Sequence, residues 1–287
     1  MPLAGAQGSP AAAGARRDSA GAAARPPGTG AGAGAGVGVW QERGVTQALR
    51  RSHATWYHAW TAEPPGYIGT TKARFVPMMW GAGSLTDDEL AAAAEHGPWL
   101  LGFNEPDLAS QSNLSVGEAL DLWPRLESTG LRLVSPAVAY GGADPDGWLD
   151  RFMQGAADRG LEVDAVALHW YGGDWHPRAA VRQLTGYLDA VHERYGKPVW
   201  LTEFALMRFG VDPSVPAART QARFLRLAAE ALAERRWVRR WAWFGLPAAA
   251  TGRSSGLYRP GAEVTRVGRA FAGLPALAAA ADARSDP

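Results

Sequence analysis

From Val37 onward, short apolar runs alternate with longer amphipathic stretches. Eight runs read as strands: Val37–Trp40, Ala54–Trp60, Arg74–Trp80, Trp99–Asn104, Leu131–Pro136, Ala165–Trp170, Val199–Phe204 and Val238–Phe244. Most are apolar on both faces, the pattern of parallel strands covered on each side. Helical signals fall between them. Thr86-Asp-Asp-Glu89 forms a capping box ahead of Leu90-Ala-Ala-Ala-Ala94, and Gly97-Pro98 stops that helix. Ser115-Val-Gly-Glu118 opens a second helix that ends by Gly130, while Arg178–Tyr195 and Ala217–Arg235 carry apolar residues at helical spacing. The link Thr61–Lys72 holds Pro64, Pro65, Gly66 and Gly69, so no regular helix is expected there. Strands alternating with helices predict parallel βα units, and eight of them predict a single-domain (β/α)8 TIM barrel. An open doubly wound sheet is the alternative, but no glycine-rich phosphate loop follows the first strand.

Two of the runs end in a carboxylate. Trp99-Leu-Leu-Gly-Phe-Asn-Glu-Pro-Asp107 delivers Glu105, and Pro198-Val-Trp-Leu-Thr-Glu-Phe-Ala205 delivers Glu203. A carboxylate at the end of a buried strand costs desolvation energy unless something pairs or uses it. In a barrel, the C-terminal strand ends converge on one face. That face is expected to collect Trp40, Trp60, Trp80, Asn104, Glu105, His169, Tyr171, Glu203, Trp243 and Phe244. Carboxylates, an amide and flat aromatic rings suit a sugar. Two carboxylates are what cleavage of a glycosidic bond requires.

Composition narrows the reading. With 29 basic and 28 acidic residues in 287, the chain lacks the basic excess of a nucleic-acid binder. It has no cysteine, which excludes disulfides and thiolate chemistry. No run of 18 or more apolar residues predicts a membrane span. No metal or other cofactor is expected, since no second histidine sits at ligand spacing from His169. Residues 1–36 are rich in Ala, Gly and Pro with almost no large apolar side chain, so they read as a disordered arm. They lack the apolar core of a signal peptide. The expected organisation is an arm over 1–36, a catalytic domain over 37–275 and a tail over 276–287.

Several ordered blocks together resemble glycoside hydrolase family 128 (GH128): Phe75-Val-Pro-Met-Met-Trp-Gly81, Gly102-Phe-Asn-Glu-Pro-Asp107, Leu168-His-Trp-Tyr171, Val199-Trp-Leu-Thr-Glu-Phe204 and Trp241-Ala-Trp-Phe244. The resemblance spans nearly all of Val37–Phe271. It implies an endo-acting, retaining β-1,3-glucan hydrolase with the acid/base on strand 4 (Glu105) and the nucleophile on strand 7 (Glu203). It places Asn104 on a sugar 2-hydroxyl or on its own loop, Tyr171 beside Glu203, and His169 on sugar or Glu105. Trp243 is expected beneath the sugar, with Trp80, Trp60 and Trp170 as further contacts. One departure stands in Trp56-Tyr-His-Ala-Trp60, where Ala59 replaces an asparagine of the family pattern and His58 is the candidate to compensate. Hydrolysis of another β-glucan, or a barrel that binds carbohydrate without cleaving it, are the alternatives. The implied partner is a polysaccharide, the expected state a monomer, and the substrate class implies an extracellular site of action.

Overall fold

The computed structural model describes residues 34–210 and 214–274. The chain is an α/β fold built on parallel strands. Strands β1 (Gly34–Gly38), β2 (Trp56–His58), β3 (Arg74–Phe75), β6 (Val166–Gly172), β7 (Val199–Leu206) and β8 (Val238–Trp243) form a six-stranded sheet in the order β3-β2-β1-β8-β7-β6. Strands β4 (Trp99–Leu101) and β5 (Arg132–Val134) form a second parallel sheet. Single parallel bridges, Met78 to Leu101 and Val134 to Ala165, link its two sides to the ends of the first. Beyond β8 comes a small antiparallel pair, β9 (Tyr258–Arg259) and β10 (Glu263–Val264), which the apolar pattern did not predict.

Helices α1 (Val45–Ser52), α2 (Asp87–Ala94), α3 (Val116–Glu127), α4 (Trp148–Asp158), α5 (Pro177–Tyr195), α6 (Ala218–Ala233) and α7 (Arg266–Ala272) lie between or after the strands. The expected caps are present: Thr86 accepts from the Glu89 N–H, and Ser115 and Glu118 cap one another's backbone N–H groups. Thr61–Lys72 carries no helix, as its prolines and glycines imply.

The strands are covered on both faces. On one face Leu184, Leu188 and Val191 of α5 and Phe224 and Leu225 of α6 are fully buried against them. Each such side chain contributes about 2 kcal/mol by burial. On the other face a separate cluster consists entirely of residues on or next to strands, among them Trp56, Met78, Leu101, Val134, Ala167, Trp200 and Ala242.

The first strand begins at Gly34, inside the stretch the composition assigned to the arm. Glycine here is a packing requirement rather than a linker signal. A Cβ on Gly36 would sit 2.3 Å from the Trp56 ring, and one on Gly38 would sit 2.9 Å from Trp60. The rest of the expected arm, residues 1–33, and the expected tail lie outside the described residues.

Candidate active site

Glu203 reaches the inner face through a break in strand regularity. Leu168 pairs with Leu201, but the next residue, His169, pairs with Glu203. On the other side Leu201 pairs with Trp241 and Phe204 with Trp243, three residues of β7 against two of β8. Thr202 is therefore an extra residue in β7, a bulge that changes which side chains face inward. Before it, Trp200 belongs to the inner cluster; after it, Phe204 packs outward against Phe224 and Trp241. The Thr202 carbonyl accepts a hydrogen bond of 3.0 Å from Nε2–H of His58, across the interior from β2. His58 is fully buried and its pKa is lowered to about 3, chiefly by burial. It is therefore a neutral donor to that carbonyl.

Both Glu203 oxygens are engaged. Trp60 Nε1 donates to Oε1 at 2.8 Å, and the Tyr171 hydroxyl donates to Oε2. Burial, followed by the Glu203 charge, raises the Tyr171 pKa well above 10, so the phenol keeps its proton. Glu105 extends from β4, where Asn104 N–H bonds the Trp80 carbonyl and Glu105 N–H the Ala137 carbonyl at 2.7 Å. Trp60 and Glu105 both take positive φ, 57° and 42°, a conformation that costs about 1–3 kcal/mol in a non-glycine residue. Strain at two carboxylate-handling positions marks a site whose geometry is imposed by its surroundings.

His169 stands between the carboxylates with no side-chain exposure. Its Nδ1 donates to Glu105 Oε1 at 2.8 Å, and its Nε2 lies 3.6 Å from Glu203 Oε1. Burial works to lower its pKa, but the Glu203 charge and the Glu105 hydrogen bond and charge outweigh it, so the pKa is raised. One atom from each of Glu105, His169 and Glu203 lies within 4.8 Å of the other two. Such a trio could hold a cation by geometry alone, but its polar atoms are already taken by one another and by protein donors: His169 Nδ1 on Glu105, Trp60 and Tyr171 on Glu203. Proton sharing is the chemistry that fits.

The family described as Glycosyl hydrolase catalytic core matches residues 36–271. A GH128 (subgroup I) endo-β-1,3-glucanase from Amycolatopsis mediterranei, solved in complex with laminaritriose, is 48% identical, with 85% of this chain and 100% of that chain covered and a TM-score of 0.80. The chain belongs to the GH128 family. A GH128 (subgroup II) endo-β-1,3-glucanase from Sorangium cellulosum is 30% identical, with coverage of 84% and 98% and a TM-score of 0.68. Alkali-sensitive linkage protein 1 of Schizosaccharomyces pombe is 29% identical over 227 residues, which are 75% of this chain and 39% of that protein. The chain thus spans about two fifths of the length of that curated relative.

Within this GH128 chain the structure divides the residues expected to bind sugar. Trp60, His169 and Tyr171 gather around the carboxylates, with the N–H groups of His169 and Trp60 committed to Glu105 and Glu203. Asn104 Nδ2 donates to Gln111 Oε1 at 3.2 Å, while its buried Oδ1 has no hydrogen-bond partner among the described residues. Trp80 is half-buried against the inner cluster. Two expectations are corrected. Trp243 has 0% exposure, packs edge-on to Phe204 and donates Nε1–H to the Ser255 carbonyl, so it is core rather than a sugar platform. Trp170 alternates with His169 and Tyr171 along β6 and therefore points away from them, stacking on Phe224 of α6.

The aromatic wall at this end is made instead by Trp40, Trp60 and Phe244, with ring centroids 5.4 to 6.2 Å apart. Trp40 is 38% exposed. Phe209, in the loop after β7, is exposed and sets its edge against Tyr171. Trp40 and Phe244 were legible as strand ends; Phe209 sits in a loop with no pattern to mark it. Asp107 was not marked either. Its carboxylate accepts from the N–H groups of Ala139 and Tyr140, fixing the loop after β5 against the one after β4.

Proposed function

We propose that the chain cleaves internal β-1,3-glucan linkages with retention of anomeric configuration. Glu203 is the nucleophile and Glu105 the acid/base. The observation that carries this reading is the pair of carboxylates with oxygens within 4.8 Å and different partners. Retaining pairs stand about 5–5.5 Å apart, inverting pairs about 6.5–9.5 Å to admit a water. Trp60 and Tyr171 fix both Glu203 oxygens, which orients the carboxylate for attack on the anomeric carbon. Glu105 gives its proton to the departing oxygen as the glycosyl ester forms on Glu203. The carboxylate left on Glu105 faces the His169 N–H, which stabilises the new charge. Water then attacks the ester while Glu105 takes its proton, restoring both groups.

The same reading treats the two sheets as arcs of one (β/α)8 barrel. The bridges at Met78–Leu101 and Val134–Ala165, and an inner cluster drawn from strands of both sheets, support it. Partly exposed aromatic rings at the strand ends suit the apolar faces of glucose units, with Trp40, Trp60, Trp80 and Phe244 as contacts. A glucan polymer places the action outside the cell or at a cell wall, by a monomer. The test is reducing-sugar release from laminarin by the wild type, Glu105→Gln and Glu203→Gln, with the anomer of the first product read by proton NMR. Each variant is expected to lose at least about 3 kcal/mol of transition-state stabilisation, a hundredfold or more in rate. Near-wild-type hydrolysis by either variant, or an inverted first product, would overturn the assignment.

A further inference from the structure

We infer that the opposite end of the strands carries a second binding site, for a small organic carboxylate with an apolar ring. A cavity of about 380 Å³ opens there, lined by Arg74, Phe75, Val76, His96, Pro98, Trp99 and Arg240 among others. Its place follows from register. Arg74 and Trp99 are the first residues of β3 and β4, and Arg240 pairs with Trp200 in the N-terminal half of β7. Glu203 lies three residues farther along β7, about 10 Å at the rise of a strand. The site is thus separate from the carboxylates.

The cavity has cations but no counter-charge. Arg240 lies over the Trp200 ring at 4.5 Å and near that of Trp56 at 5.6 Å, contacts that hold its charge over two aromatic rings. Among the described residues, neither Arg240 nor Arg74 has a hydrogen bond or an ion pair from its side chain. Burial, with the neighbouring Arg74 charge adding to it, lowers the Arg240 pKa to about 10, the mark of a cation short of compensation. Both guanidinium groups offer donors and no acceptor. Two adjacent guanidinium groups destabilise a fold that has nothing between them, and a carboxylate would relieve that repulsion while taking their N–H groups in a bidentate pair. The remaining walls, Phe75, Val76, Pro98 and Trp99, are apolar and suit a ring rather than a bare inorganic ion.

The test uses the full chain in isothermal titration calorimetry, with benzoate as probe. Benzamide controls for the charge and inorganic phosphate for the ring. Benzoate is expected to bind one per chain, with benzamide and phosphate at least about tenfold weaker. Arg74→Gln, an exposed position that leaves the core untouched, is expected to weaken benzoate about tenfold while laminarin hydrolysis is unchanged. Arg240→Gln is expected to weaken it further. If Arg240→Gln does not fold, Arg74→Gln alone decides. Absence of benzoate binding, or equal binding by wild type and Arg74→Gln, would overturn the proposal. Phosphate binding as tight as benzoate would overturn the assigned ligand class.

Discussion

Replacing His58 by glutamine should make the protein less sensitive to acid. In the unfolded chain His58 protonates near pH 6.5; in the folded chain burial holds its pKa at about 3. Between those values the unfolded state carries one proton more than the folded state. Stability therefore falls as pH falls, by about 1.4 kcal/mol per pH unit. The His58 contribution is intact above pH 6.5, reduced by about 2 kcal/mol at pH 5, and reduced by about 4 kcal/mol at pH 3. Glutamine keeps an N–H to offer the Thr202 carbonyl and does not titrate. Urea unfolding at pH 7, 6 and 5 measures the effect. The variant is expected to gain about 2 kcal/mol on the wild type between pH 7 and pH 5. His169 has the opposite sign. Its raised pKa gives a contribution that is full below pH 6.5 and lost as pH rises through the raised value. Both proteins contain His169, so it cancels in the comparison. A stability gap that stays constant from pH 7 to pH 5 would refute the reasoning.

Tyr171→Phe removes one of the two donors on Glu203 and is expected to cut kcat on laminarin by tenfold to a hundredfold, about 1.5–3 kcal/mol, with KM little changed. A matching rise in KM would place Tyr171 on the substrate rather than on the nucleophile. Trp243→Ala should cost about 3–5 kcal/mol in urea unfolding and leave KM unaltered in the folded fraction, since the ring is wholly core. Trp40→Ala should raise KM for laminarin about tenfold with little loss of stability, because its ring is partly exposed beside Phe244.

Much of the fold was legible because strands covered on both faces leave long apolar runs. Val199–Phe204 and Val238–Phe244 come within two residues of β7 and β8. The same property hid the orientation of individual rings. In a run apolar on both sides, nothing tells Trp170 from Tyr171, yet one faces α6 and the other Glu203. The bulge at Thr202 adds to this, because one extra residue reverses the parity of everything after it. Glu105 and Glu203 were readable because a charge at the tip of a buried strand is too costly to keep without a partner or a task. His58 was readable only as a replacement for an amide at Ala59. Its bond to a bulge carbonyl depends on a partner 144 residues away. β1 was trimmed because glycines chosen to clear Trp56 and Trp60 look the same as glycines in a linker.

The position of β1 has a consequence for synthesis. It lies between β2 and β8, so its second neighbour is the last long strand to leave the ribosome. Until Val238–Trp243 emerges, one edge of Gly34–Gly38 has no partner, and its glycines offer no bulky or charged side chain to shield it. Closing that gap brings together segments from opposite ends of the described chain, the slow kind of contact in a folding reaction. A nascent chain paused before Val238 would hold the nucleophile strand and the acid/base already made, beside an open strand edge able to pair with another chain. Translation speed through the segment after α6 would therefore bear on yield, while leaving the finished enzyme unchanged.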